Sequence, residues 1–152
     1  MNEVIRKNTP WHLWVIGIVS LLWNSFGAND YLQTQFSNLA YFEGAVERMG
    51  VSAEEALAYF QSYPAWVHGF WAIGVWGALA GSVLLLLRSR FTVWAFTLSL
   101  LGLAVTTLYQ VVVPQPDWTK GGFMTVMNVI IWSIASFLMI YSAALRRKGV
   151  LR

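Results

Sequence analysis

Four apolar stretches separated by polar connections set the plan of this chain. They run from about Trp11 to Ala28, Ala65 to Leu87, Phe91 to Val113 and Phe123 to Leu145. At about 1.5 Å per residue the last three are long enough to cross about 30 Å of hydrocarbon, and the first is near the lower limit. That first stretch reads as a retained helix rather than a signal peptide. A cut before Asn29 would put Phe26 where a small residue is needed, and Trp11, Trp14 and Trp23 are foreign to a signal core. The expected fold is all-α, a four-helix transmembrane bundle formed as one domain over residues 1–152.

The connection 29–64 carries a pattern of its own. Asp30 followed by Gln33, and Ser52 followed by Glu55, are capping-box spacings at the starts of two short helices. Between them Leu32, Phe36, Leu39, Tyr41 and Phe42 recur at near-helical spacing, and Met49-Gly50 ends the run. Gly27 permits a bend ahead of the first. Two short amphipathic helices are therefore expected in this loop, lying on the membrane face or lidding the bundle. The connection 114–122, with Pro114, Pro116, Gly121 and Gly122, is a turn-rich link.

Charge orients the spans. Eight of the ten Lys and Arg residues lie before the first span (Arg6, Lys7), between the second and third (Arg88, Arg90) or after the fourth (Arg146, Arg147, Lys148, Arg152). The alternate side holds only Arg48 and Lys120, along with six of the seven acids. The positive-inside rule then puts both termini in the cytoplasm. Composition agrees, since 57% hydrophobic against 11% charged residues is too apolar for a soluble domain of 152 residues. The net charge of +3 flanks apolar segments instead of forming a stripe, so anionic lipid headgroups at the cytoplasmic face are the expected partner and nucleic acid is not. The absence of cysteine removes disulfides, thiolate metal sites and thiol nucleophiles.

Chemistry concentrates toward the opposite end. Asn24, His68, Gln110 and Asn128 each fall within roughly 5–9 Å of the outer boundary at about 1.5 Å per residue, one from each span. Asp30, Tyr31, Thr34 and Gln35 follow just beyond the first. Polar groups in hydrocarbon are costly unless they face inward and find partners. One reading makes these eight residues a ligand-binding pocket open to the outside; the other makes them hydrogen-bonding glue between helices. No ionisable residue sits at mid-membrane, which argues against a proton or ion pump.

Other motifs carry less. His12 and His68 lie at opposite faces and cannot hold one haem or metal between them, and Met124 and Met127 read as packing. No metalloprotease helix, phosphate loop or nucleophile elbow is present. No catalytic residue, metal or cofactor is expected. Gly77-x-x-x-Gly81 is a small-residue pattern that serves either packing within the bundle or a homo-oligomer or other membrane partner.

The run Trp23-Asn24, Gly27-Ala28-x-Asp30-Tyr31-x-x-Thr34-Gln35, then Tyr63-Pro64-Ala65-Trp66 and Gly74-Val75-Trp76-Gly77, resembles a family of small uncharacterised bacterial inner-membrane proteins. Members sometimes carry a "sugar transporter" label, and the similarity spans about Trp11 to Leu145. The resemblance implies a four-helix inner-membrane protein and assigns no residue a role. The leading expectation is a protein that binds a small polar or amphiphilic ligand, or a protein partner, at its periplasmic face. The alternatives are a subunit of a small-molecule transporter or exporter, and a membrane enzyme using Asp30 and His68 as acid and base.

Overall fold

A computed structural model describes residues 9–46 and 49–152. Arg6, Lys7, Glu47 and Arg48 of the charge pattern lie outside the described residues. The helices are α1 (Trp11–Gln35), α2 (Leu39–Val46), α3 (Ala53–Gln61), α4 (Ala65–Leu86), α5 (Thr92–Val112) and α6 (Gly122–Arg147), with a 3-10 turn at Asp117–Lys120 before α6. Four of them, α1, α4, α5 and α6, are long and apolar enough to span a membrane. Successive long helices pack side by side: α1 on α4, α4 on α5, and α5 on α6. The molecule has a basic end, where α4 and α6 finish, and an acidic end, where α2 and α3 pack against each other.

Two expectations are corrected at α1. The helix does not bend or stop at Gly27 but continues to Gln35, so Asp30 lies inside it and caps nothing. The polar turns supply their own helical bonds: Thr34 Oγ1 donates to Asp30 O at 2.9 Å, and Gln33 Nε2 to Asn29 Oδ1 at 3.2 Å. The break comes at Ser37, in the left-handed region at φ 55°. Asn38 then takes the capping role for α2, its Oδ1 accepting the Tyr41 N–H at 3.3 Å. Ser52 does cap α3, its Oγ accepting the Glu55 N–H at 3.2 Å.

Burial runs opposite to that of a soluble protein. Ser20, Ser82, Thr92, Ser99, Thr106 and Ser142 are buried in the long helices, while Trp14, Ile18, Leu22, Leu98, Leu108, Val129 and Ile140 face outward. So much exposed apolar surface is tenable only against lipid. Small residues let backbones approach, and each buried hydroxyl satisfies itself on a nearby carbonyl. Most use their own helix, as Ser20 Oγ does on Gly17 O at 3.0 Å and Thr106 Oγ1 on Gly102 O at 2.9 Å. Ser99 instead reaches across, donating to Gly74 O of α4 at 2.6 Å.

The seam between α4 and α5 is the closest in the fold. A Cβ on Gly77 would stand 3.1 Å from Ser99 N and 3.2 Å from Ala95 O. On Gly102 of α5 it would stand 2.5 Å from both Gly74 N and Phe70 O, and on Gly81 it would meet the Phe96 ring at 2.6 Å. The glycine row of the second span thus packs within the chain.

At the basic end the chain closes on itself. Gly149, at φ 69°, ends α6 with paired bonds from Gly149 N to Arg146 O and Val150 N to Leu145 O, both 3.0 Å. Val150 and Leu151 then bury among Leu13, Leu85, Phe96, Leu138 and Leu145. Arg152 pairs with the α4–α5 turn in both directions, its N–H reaching Arg88 O at 2.8 Å and its carbonyl accepting from Arg90 N at 2.6 Å. Arg88 holds a left-handed φ of 58° in that turn.

Gly102→Ala is expected to lower thermal stability in detergent by about 1–3 kcal/mol, because backbone rather than flexible side chain must yield. Gly122→Ala, where nothing lies within 4 Å of the new Cβ, should leave the melting temperature unchanged.

Candidate functional site

The acidic end is built on α3. Its Ala53, Ala56, Leu57 and Phe60 recur at i, i+3, i+4 and i+7, and the first three bury against Phe42 and Val46 of α2, with Tyr41, Phe60 and Trp118 packed around them. This brings aromatic rings from five segments into one cluster. Tyr59 meets Trp118 edge-on at 5.1 Å and Tyr63 at 5.3 Å, Phe60 meets Trp71 at 5.9 Å, and Tyr63 meets Tyr109 of α5 at 5.3 Å. All but the tilted Phe60–Trp71 pair are edge-to-face, a favoured geometry for aromatic pairs at these separations.

A hydrogen-bond chain threads the cluster. Gln110 Nε2 donates to Tyr63 Oη at 2.9 Å, the Tyr63 hydroxyl to Tyr59 Oη at 2.9 Å, and the Tyr59 hydroxyl to Gln115 Oε1. Gln115 Nε2 ends it on Val113 O at 2.7 Å. The chain ties the end of α5 to α3 and to the link before α6. Burial pushes the Tyr59 and Tyr63 hydroxyls above the ordinary tyrosine value of 10.0, so both stay protonated donors. Trp118 Nε1 is buried nearby with no partner among the described residues.

The eight sequence-derived residues divide into three groups. Tyr31, Gln35 and His68 meet at the corner between the end of α1 and the start of α4, and Asp30, on the same turns of α1, is turned to Tyr41 of α2. Gln35 Nε2 lies 3.2 Å from His68 Nδ1; the His68 ring stacks on Trp71 at 6.1 Å, and Tyr31 stands edge-on to Trp71 at 5.2 Å. Asp30 Oδ1 accepts from the Tyr41 hydroxyl at 3.1 Å. Gln110 adjoins them through Tyr63, whose ring is 6.1 Å from His68. Asp30 and Gln35 are exposed and His68 half-buried, so this corner is open to the outside.

Asn24 and Thr34 are engaged elsewhere. Asn24 Nδ2 donates to Ala78 O at 3.2 Å and Ser82 Oγ at 2.8 Å, joining α1 to α4, and Thr34 is buried on its own helix. Asn128 stands exposed on α6 and makes no side-chain hydrogen bond among the described residues. The corner therefore draws on α1, α4 and, through Gln110, α5, but not α6.

Asp30 and His68 are not hydrogen-bonded to each other, so the corner holds no assembled acid–base pair. Among the described residues no three of His, Cys, Asp or Glu gather to hold a metal ion. What the corner presents is an imidazole, a carboxamide and the faces of Tyr31 and Trp71, with the Asp30 carboxylate held by Tyr41. Tyr41 and Trp71, which orient these groups, carry no sequence signal beyond aromatic character. Tyr59 and Tyr63 had one, since tyrosines at i and i+4 share a helical face.

Tyr63→Phe removes the central link of the chain and leaves the Gln110 amide without its acceptor. It is expected to cost about 1 kcal/mol in detergent melts. The same hydroxyls set an alkaline limit. Their folded values are raised, so their contribution is complete below pH 10 and declines as pH rises past the value of the unfolded chain. Tyr59→Phe should flatten the loss of stability measured between pH 9.5 and 11.5, about the window in which free tyrosine ionises.

No protein-family model matches this chain, and no curated protein or solved structure does so at a significant level.

Proposed function

We propose that this is a multi-pass protein of the bacterial inner membrane, with both termini in the cytoplasm, that recognises a small polar or amphiphilic ligand or a protein partner at its periplasmic face. The orientation is supported by the gathering of Arg88, Arg90, Arg146, Arg147, Lys148 and Arg152 at one end, where the positive-inside rule sets the cytoplasm. The compartment is supported by the resemblance of the Trp23–Gln35 and Gly74–Gly77 runs to small inner-membrane proteins. In this orientation α2 and α3 form a periplasmic cap over the bundle.

One observation carries the binding reading: Tyr31, Gln35 and His68 converge at an exposed corner backed by Trp71, with the Asp30 carboxylate, held by Tyr41, one residue before Tyr31 on α1. A carboxamide beside an imidazole and flat aromatic faces, with a carboxylate on the same turns of α1, suits a ligand with hydrogen-bond donors or a positive charge, carried on an apolar body. Asn24 and Gln110 support the corner by holding α1 to α4 and α5 to the cap; they are positioning residues, not contacts.

Native mass spectrometry of the protein released from membranes tests this. Asp30→Asn with His68→Ala is expected to reduce a co-purifying small molecule at least tenfold, while Asn128→Ala leaves it in place. Retention of every bound species by the double variant, with an unchanged melting temperature, would sink the proposal.

A further inference from the structure

The opposite half of the bundle contains a second feature, unrelated to the outer corner. The helices α1 and α6 meet near the basic end, where Leu13 packs with Leu138 and Leu145, and His12 Nδ1 is hydrogen-bonded to Tyr141 Oη at 2.5 Å. Above that bridge no continuous seam joins them, and a cleft of about 340 Å³ opens between the two helices. Ser20 and Leu138 form its buried floor; Val15, Val19 and Phe137 stand half-exposed at its mouth. Ser20 Oγ is already committed to Gly17 O, so the walls present no free polar group. Phe137 stacks on Tyr141 at 5.6 Å and closes the lower edge.

Depth and charge together say what fits. Val15 and Trp23 bound the cleft at about 6 and 18 Å from the start of α1, within or near the leaflet next to the basic end, itself about 15 Å thick. On α6 the positions Ile134, Leu138, Tyr141, Leu145 and Lys148 fall on one helical row. Lys148 thus lies directly below the cleft, about 15 Å from Leu138 along the helix axis. Arg146 and Arg147 flank it, and the folded-back tail sets Arg152 beside Arg88 and Arg90. None of these six cations has a carboxylate partner among the described residues, where the one ion pair is Lys120–Asp117 at the other end.

We infer that the α1–α6 cleft is a binding site for one anionic phospholipid of the cytoplasmic leaflet. One acyl chain fills the cleft from the lipid side, and the phosphate rests on Lys148 and its neighbouring arginines. An apolar slot at acyl depth above a cationic rim is complementary to both parts of that molecule, which neither a soluble anion nor a neutral lipid matches. A transmembrane helix of a second copy would meet the like charges of Arg146, Arg147 and Lys148 at this rim.

The protein in nanodiscs of equal phosphatidylglycerol and phosphatidylcholine, ejected into a native mass spectrometer, provides the test. The expected result is one retained phosphatidylglycerol per chain. Ile134→Trp fills the cleft and should abolish retention, whereas Val111→Trp on the exposed face of α5 should not. Lys148→Ala with Arg146→Ala should weaken the preference by about fivefold for each cation removed. The chain has no cysteine, so a single Val19→Cys serves as an independent reporter. Its reaction with a lipid-soluble maleimide should slow at least fivefold in phosphatidylglycerol relative to phosphatidylcholine. Equal reaction rates, lipid retention in Ile134→Trp equal to wild type, or Val19→Cys disulfide dimers that form at the same rate in both lipids would each overturn the assignment.

Discussion

In hydrocarbon a helix gains nothing by hiding leucines from water, so the association of α4 with α5 rests on how closely their backbones meet. Gly74 and Gly77 on one side and Ser99 and Gly102 on the other remove the side chains that would keep them apart. The gain comes from dispersion contacts and from the bond between Ser99 and Gly74 O, which has no competing water. Because α4 is held so firmly on one face, its other face becomes the platform for α1. Gly17 admits Leu86 there, and the Asn24 amide locks onto Ala78 O and Ser82. The rest of the bundle is arranged around this pair.

The closeness of that pair accounts for the asymmetry of the bundle. With α4 and α5 bound this closely, α1 and α6 lie on the flanks, each joined mainly to one neighbour. They are drawn together only at the basic end, by the tail residues Val150 and Leu151 and by the His12–Tyr141 bridge. At the acidic end the aromatic cap of α2 and α3 does the corresponding work for α1, α4 and α5. What is left between α1 and α6 is an apolar cleft in one leaflet, and what is left at the cap is a polar corner. Two different surfaces thus follow from one tight helix pair.

The spans and the charge partition were legible because they depend only on length, hydropathy and the sign of side chains. The glycine row on α4 was legible as a packing pattern, but its partner was not, since Gly102 is a single glycine in an apolar run. The extension of α1 was misread because Asp30 and Gln33 at cap spacing look the same whether the preceding helix has ended or not. Nothing local forces an end at Gly27, and a helix already three quarters formed adds a turn more cheaply than a new one nucleates. The tail was missed for a related reason. Gly149 announces a stop, yet only the fold brings Leu13 and Phe96 to where Val150 and Leu151 can bury.

The eight polar residues show most clearly where sequence reasoning stops. Depth in the membrane was the shared property that grouped Asn24, His68, Gln110 and Asn128, and depth does not determine azimuth. Asn24 turns toward α4 and is spent on two acceptors there; Asn128, on an outer helix, points away from every neighbour among the described residues. Gln110 turns toward Tyr63 beside the cap, and His68 toward Gln35 at the end of α1, because those residues supply partners. A polar group stays exposed only where its helix turns it to a face that the bundle does not close. On α1 that happens in its last turns, at Asp30 and Gln35, because the helix continues past the point where its apolar run ends. The extension of α1 that the capping pattern concealed is therefore what builds the exposed corner.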